Sequence, residues 1–126
     1  MGLDMSLYAV EEQGENDKLM KEVVYWRKAN AIHKFLCGDS YLDDKTNCSY
    51  VMVSYEKLCQ LREYCARVLV NREEAPKLLP TVSGFFFGNT EYNEIYFDQL
   101  VYTLSKLSAI LDKYEDDTEF LYMPNW

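Results

Sequence analysis

The feature that most restricts the fold is a long stripe of apolar side chains in the second half of the chain. Between residues 90 and 114, apolar residues recur every three or four positions. They are Phe97, Leu100, Leu104, Leu107 and Leu111. This spacing predicts one long helix with a single apolar side, and Thr90 is a suitable N-cap for it. Such a helix needs a second layer to bury its apolar side, and the rest of the chain must provide that layer.

Shorter patterns predict the other elements. They are a half-buried strand over residues 3–10, a helix over 24–37, a short strand over 50–53, a helix over 55–71, a strand or structured loop over 78–88 and a strand over 120–123. Residues 11–18 are polar and lack periodicity, which is typical of an exposed loop. The pattern predicts a single α+β domain over residues 1–126, with a short, mostly antiparallel sheet packed by about three helices.

Composition limits the classes of partner. The chain has 126 residues, of which 48% are hydrophobic, and this is enough for one packed core. Its formal net charge is −8, and residues 78–126 contain eight of its 21 acidic side chains but only two of its 13 basic ones. Direct binding to a nucleic-acid backbone is therefore not expected. No apolar run is long enough to cross a membrane, so no membrane association is expected.

The cysteine pattern argues against a metal or a cofactor. The chain has four cysteines, and neither CxxC spacing nor a signal peptide accompanies them. They are Cys37, Cys48, Cys59 and Cys65. A reduced cytoplasm is the expected location, and we expect no metal site and no cofactor.

Catalytic groups are few. His33 is the only histidine, and Gly84 and Gly88 match neither of the common phosphate-binding loops. We therefore assign no catalytic residue. One alternative stays open: a small enzyme acting on a nucleotide or a phosphoester, with His33 as the acid–base group and Asp4 or Glu94 nearby.

An aromatic and basic segment predicts a different kind of site, one that binds a nucleotide. If residues 24–37 are helical, an aromatic ring, two cations and amide and imidazole groups lie within two turns. Aromatic rings stack on bases, while Lys and Arg neutralise phosphates. Core packing is the competing explanation for the rings. The candidate ligand-binding residues are Trp26, Arg27, Lys28, Asn30, His33, Phe86, Tyr92 and Tyr96.

Three segments resemble a family of small bacteriophage-encoded proteins. They are MGLDMSLYA at 1–9, YWRKANAIHKFL at 25–36 and LLPTVSGFFFGNTEYNEIYFDQL at 78–100. Members of that family carry a WRKANxIHKW-like segment and a SGFFFGxTxYDExY-like segment. This chain departs from the pattern at Ser6, Phe35 and Asn93, where Tyr, Trp and Asp are usual. The difference at Asn93 weakens any mechanism that requires a carboxylate there.

The resemblance implies a phage protein that acts in the cytoplasm of its bacterial host, and it supplies a context, not a mechanism. Other small acidic phage proteins suggest, by analogy, a binding protein that antagonises host defence, for example an anti-CRISPR. Its acidic C-terminal face would occupy the basic nucleic-acid channel of a host effector. The acids expected to make that contact are Glu91, Glu94, Asp98, Asp112, Asp116 and Asp117.

The alternative is a protein that sequesters a nucleotide immune signal through the aromatic and basic residues named above. The partner is then a nucleotide and not a host defence protein. The sequence also leaves the formation of a homo-oligomer open.

Overall fold

The computed structural model of the protein describes residues 2–12, 14–15, 17–84 and 86–126. Gln13 and Asn16 in the predicted loop over 11–18, and Phe85 in the predicted segment over 78–88, lie outside the described residues, as does Met1. The strands are β1 (Asp4–Glu12), β2 (Lys18–Arg27), β3 (Val51–Val53) and β4 (Phe120–Asn125). The helices are α1 (Asn30–Cys37), α2 (Tyr55–Val70), α3 (Ala75–Leu78) and α4 (Glu94–Lys113), with 3-10 turns at Gly38–Ser40 and Arg72–Glu74.

The strands form one sheet in the order β2-β1-β4-β3, and every neighbouring pair in the described chain is antiparallel. Three helices of two turns or more accompany the sheet, together with the single-turn α3. The predicted α+β class is therefore confirmed. No helix within the described ranges combines the length and hydrophobicity needed to span a bilayer.

One face of the sheet, the inner face, packs against the helices. In β1, Met5, Leu7 and Ala9 are fully buried and alternate with more exposed residues. Trp26 of β2 lies opposite Met5, and Tyr122 of β4 lies opposite Leu7. Successive side chains of a strand point to opposite faces, so these residues form the sheet's half of the core.

The predicted helix over residues 24–37 is wrong in its first part, which belongs to β2. There Trp26 is buried while Tyr25 is exposed, and this alternation is typical of a strand. Lys28 then adopts a left-handed φ of +55°, and α1 begins only at Asn30. The helical spacing of the later apolar residues does not extend back through Lys28.

The predicted loop over residues 11–18 overlaps the end of β1 and the beginning of β2. A bulge between Leu7 and Tyr8 shifts the pairing of these two strands. Beyond it, residues 18–22 of β2 are exposed throughout. This end of the hairpin therefore extends past the packed core.

The predicted start of the last helix is also wrong. Thr90 lies in the preceding loop, and α4 begins at Glu94. Its N-cap is Asn93, whose Oδ1 accepts a hydrogen bond from the N–H of Tyr96 at 3.2 Å. Within the predicted segment over 78–88, the described residues after α3 contain no strand, so the structured-loop alternative is the correct one.

Candidate functional site

His33 is enclosed in the core. Its Nε2 donates to the carbonyl oxygen of Tyr41 at 2.7 Å, and its Nδ1 accepts from the hydroxyl of Tyr122 at 2.7 Å. A carbonyl oxygen can only accept, which places the proton on Nε2. Burial lowers the pKa of His33, so the ring is neutral near pH 7. The rings of Phe87 and Trp126 enclose it, with centroids 5.1 and 5.4 Å away.

The two acids considered as partners of the histidine hold other groups. Asp4 accepts hydrogen bonds from Tyr25 Oη and Arg27 Nη1, both at 2.6 Å. The hydrogen bond from Tyr25, together with Arg27, holds the pKa of Asp4 below its usual value. Glu94 forms an ion pair with Arg72 at 2.8 Å. The three groups of the enzyme alternative are therefore not joined by the contacts that the structure describes.

Two candidate stacking rings are buried and hydrogen-bonded within the protein. Trp26 Nε1 donates to Thr103 Oγ1 at 2.9 Å. The hydroxyl of Tyr96 donates to the carbonyl oxygen of Leu79 at 2.7 Å. Neither ring presents a face to a base, and core packing accounts for both.

Asn30 fastens the loop before α4 to α1. Its Nδ2 donates to the carbonyl oxygens of Phe87 and Asn89, each at 3.0 Å. Its Oδ1 accepts from the N–H of Val82 at 3.0 Å. One buried amide thus satisfies three backbone groups, and its hydrogen-bonding capacity is used by the fold.

Phe86 and Tyr92 lie on the same loop but have separate contacts. The carbonyl oxygen of Phe86 accepts from the N–H of Leu3 at 2.9 Å. The hydroxyl of Tyr92 accepts from the N–H of Thr81 at 3.2 Å, and its ring meets that of Tyr96 edge-on at 5.1 Å. Both residues therefore anchor the loop.

The segments over 25–36 and 78–100 meet at a surface cavity of about 410 Å³, which we call the Lys28 cavity. It is lined by Arg27, Lys28, Asn30, Thr81, Gly88, Asn89, Glu91, Asn93, Ile95, Tyr96 and Gln99. Five of the residues predicted from the sequence therefore meet at this cavity. They are the cations Arg27 and Lys28, the buried Asn30 and Tyr96, and the acid Glu91. The amides on its α4 side were not predicted, because Asn and Gln have no sequence signal outside a motif.

A second cavity, of about 300 Å³, adjoins the first along α4. Its walls include Tyr25, Tyr102 and Asp98, and it shares Arg27 and Ile95 with the Lys28 cavity. We call it the tyrosine groove. Tyr102 is exposed beside this groove, whereas the exposed ring of Tyr25 lies on the outer face of the sheet, where its hydroxyl donates to Asp4.

The acids expected to form one C-terminal face are divided between the two ends of α4. Glu91, Glu94 and Asp98 lie at its N-terminal end, and Asp112 lies near its C-terminal end. A helix of 20 residues is about 30 Å long. Asp116 and Asp117 follow in the turn before β4. The predicted acids are therefore spread along the length of α4 and into the turn that follows it.

The acids beyond α4 instead join the end of the β1–β2 hairpin. Tyr114 Oη donates to Glu11 Oε1 at 2.6 Å, and the N–H of Val10 donates to the carbonyl oxygen of Glu119 at 2.9 Å. We call this region the acidic end. It comprises Glu11, Glu12, Glu15, Asp17, Asp112, Glu115, Asp116, Asp117 and Glu119. Among the residues with described positions, no three acids, cysteines or histidines are grouped as a metal site.

The outer face of the sheet carries apolar side chains where a solvated sheet usually carries polar ones. Ring centroids of Tyr8 and Tyr50 lie 6.0 Å apart, and Tyr8 pairs with Leu121, which pairs in turn with Met52. Met52 is 75% exposed, Tyr50 55% and Tyr25 46%. We call this surface the open face. It comprises Tyr8, Val10, Met20, Tyr25, Tyr50, Met52, Leu121 and Met123.

The sequence does contain a signal for the open face, in the residues that alternate with the buried ones along the central strands. In β1 the residues that alternate with the buried set include Tyr8 and Val10, and in β4 they include Leu121 and Met123. An antiparallel sheet with one solvated face normally has polar residues at these positions. Their apolar character in both central strands marks the face as a candidate binding surface.

Known proteins provide no template for these surfaces. The open face, the Lys28 cavity and the acidic end must be interpreted from their own geometry and charge. No family model, no curated protein and no solved structure matches this chain.

Proposed function

We propose that the protein acts by binding another protein through the open face, and that it serves a phage as an antagonist of a host defence effector in the bacterial cytoplasm. The observation that carries the binding proposal is the row Tyr8, Leu121 and Met52 across three neighbouring strands. Met52 is exposed while Tyr8 and Leu121 are half-buried, and a contiguous apolar patch of this kind on a sheet surface is typical of protein interaction sites.

The side chains of the open face are those that protein interfaces favour. Tyrosine and methionine are enriched in interfaces relative to the rest of a protein surface. The polar groups in the middle of the face satisfy each other, because Ser6 Oγ donates to Glu22 Oε1 at 2.7 Å. A partner can therefore cover this region without leaving either group unpaired.

The negative charge of the protein indicates that its partner is basic. The chain has a net charge of −8, and the open face runs along β1 and β2 to the acidic end. A partner with an apolar patch bordered by Lys and Arg complements this arrangement, and a nucleic-acid-binding effector offers such a surface. A second copy carries the same net charge, which opposes self-association through this face.

The test is a substitution at the most exposed position of the open face. Met52→Glu should abolish protection of a phage or plasmid from the sensitive defence system, with the folded structure unchanged. Val101→Glu on α4 is the matched control, since Val101 is also exposed, at 54%, and should retain protection. Equal activity of the two variants would contradict the proposal, as would sedimentation of the purified protein as a dimer that Met52→Glu dissociates.

The proposal contains no catalytic step. His33 is enclosed and neutral, and Asp4 and Glu94 hold Arg27 and Arg72. The acidic end retains a supporting role, because negative charge beside the apolar surface accelerates encounter with a basic partner. Binding through the open face should therefore weaken as salt increases, and the association rate should show most of the effect.

A further inference from the structure

β2 has one edge with which no other strand pairs. In the described part of the chain, the sheet ends at β2 on one side and at β3 on the other. β3 has only three residues, whereas β2 has ten. A long free edge is a template for pairing with a further strand, and very short edge strands avoid this. The edge of β2 is therefore the place where the sheet can be extended.

The pairing of β1 shows which main-chain groups of β2 lie on this edge. The N–H of Val10 donates to the carbonyl oxygen of Glu119, on the β4 side of β1. Met20 lies directly opposite Val10, so its own N–H and C=O point away from β1. The register is regular here, and the same alternation directs the N–H and C=O of Lys18 and Glu22 outward. These three residues therefore offer their main-chain donors and acceptors to a further strand.

Only the first half of this edge is uncovered. Beyond the bulge α4 approaches β2, and Tyr102 Oη donates to the carbonyl oxygen of Tyr25 at 2.7 Å. Residues 18–22, in contrast, are exposed throughout. Their sequence, KLMKE, contains two lysines and one glutamate, which gives a net charge of +1 in a protein of net charge −8. The uncovered segment is thus locally basic and apolar, unlike the acidic end beside it.

The sequence of this segment complements itself. If two copies pair antiparallel with Met20 opposite Met20, then Lys18 of each copy lies opposite Glu22 of the other. Lysines on an edge strand usually discourage pairing, but in this register Lys18 faces an acid. Leu19 lies opposite Lys21, whose aliphatic stem can cover it while the ammonium group stays in water. Every side chain of the segment therefore has a suitable neighbour.

Other registers are less favourable. Those centred on Lys18, Lys21 or Glu22 place like charges directly opposite each other. The register centred on Leu19 pairs only residues 18–20 of one strand with the same residues of the other. A shift that changes the pairing by a single residue puts the two sheets' apolar sides on opposite faces. The register centred on Met20 is therefore the one that pairs the whole uncovered segment with complementary charges.

We infer that the occupant of this edge is a second copy of the chain, paired antiparallel through residues 18–22 about a two-fold axis at Met20. The two four-stranded sheets then form one continuous sheet. Both open faces lie on the same side of it, because the axis is perpendicular to the sheet. Antiparallel pairing also directs the acidic ends of the two copies in opposite directions. This dimer does not depend on the proposed binding of a host protein.

The test uses two charge reversals in the full chain, Lys18→Glu and Glu22→Lys, and sedimentation at about 0.15 M salt, which screens the net charge. The wild-type protein should form a dimer at submillimolar concentration. Either variant alone should raise the dimer dissociation constant about tenfold or more, because both of its cross-strand pairs become like-charged. An equimolar mixture of the two variants should recover the dimer, since every pair then joins opposite charges. A wild-type protein that stays monomeric, or a mixture that does not recover the dimer, would overturn the inference.

Further variants separate this edge from the open face. Met20→Pro removes an N–H that points away from β1, so it should prevent dimer formation while the melting temperature changes little. Met20→Ala, the matched control, keeps the N–H and should form the dimer more readily than Met20→Pro. Met52→Glu should leave the dimer intact, because Met52 lies on β3 at the far side of the sheet. A dimer that Met52→Glu dissociates, or one that Met20→Pro leaves unchanged, would refute pairing through β2.

Discussion

The indole Nε1 of Trp26 donates a 2.9 Å hydrogen bond to Oγ1 of Thr103, and this bond joins β2 to α4 inside the core. Thr103 Oγ1 in turn donates to the carbonyl oxygen of Gln99 at 2.7 Å. The hydroxyl thus acts as donor and acceptor at once. Its removal leaves a buried N–H without a partner.

We predict that Thr103→Val lowers the free energy of unfolding by about 1–3 kcal/mol, the cost of an unsatisfied buried donor. Thr103→Ser retains the hydroxyl and should cost less. Urea denaturation of the two variants measures the difference. The double variant Trp26→Phe with Thr103→Val should be less destabilised than the sum of the single ones, and strict additivity would show that the bond is not a stabilising pair.

Replacing Asn30 by a negatively charged residue should destabilise the protein more than the burial of Asn30 alone suggests. Asn30→Asp places carboxylate oxygens against the carbonyl oxygens of Phe87 and Asn89, so it should lower the unfolding free energy by about 2 kcal/mol or more. The loop over residues 80–92 should then be cleaved faster by proteases. Asn89→Asp, whose own side chain accepts from the N–H of Glu91, is the control and should be tolerated. Slow cleavage of both variants would contradict the role of Asn30.

Stability should fall as the pH is lowered from 7 towards 5. Burial lowers the pKa of His33 below its usual value of 6.5. The unfolded chain therefore gains a proton near pH 6.5, whereas the folded chain gains it only at lower pH. The stabilisation is present above the unfolded pKa and is lost below it, with a slope of at most about 1.4 kcal/mol per pH unit.

The pH effect is measured by urea denaturation at several pH values. His33→Gln removes the titrating group and should abolish the slope in this range, although its overall stability will be lower. Asp4, whose pKa is lowered, affects stability only at more acidic pH, because its unfolded value is near 3.8. An unchanged slope in His33→Gln would assign the effect to other groups.

The cysteines should differ strongly in reactivity. Burial raises the pKa of Cys37 and of Cys65 to about 12, so their thiolate fraction at pH 8 is on the order of 10⁻⁴. Cys48 is exposed. A thiol reagent should label Cys48 first and reach Cys65 only on unfolding. Cys48→Ser should eliminate the fast phase, and rapid labelling of Cys65 in the native protein would contradict this order.

The fold class was predictable because its signals are local. Alternation around Met5 and Leu7 and the apolar spacing through Leu100 and Leu107 each follow from burial of one side of an element. The boundary before α1 was not predictable, because it depends on Lys28 in a left-handed conformation. Residue type gives no indication of this, since lysine rarely adopts it.

The candidate site was harder to predict because accessibility is a property of the tertiary structure. Trp26 and Tyr25 are neighbours in sequence, yet only Tyr25 is accessible to a ligand. Likewise, Asp98 lines the tyrosine groove, whereas Asp112 lies about four turns further along the same helix. The sequence identified Arg27 and Lys28 as cations of interest, but the cavity beside them is completed by the loop that contains Thr81 and Glu91, which lies far along the chain.

The position of β4 has a consequence for how the chain folds. β4 lies between β1 and β3, although every other element of the fold separates it from β1 along the chain. The sheet can therefore not be completed until residues 120–125 are available, and pairings of such long range make folding slow. Until then β1 has an unpaired edge beside apolar side chains, which is a site for mispairing with other chains. When the protein is synthesised rapidly and to high concentration, aggregation should therefore compete with folding.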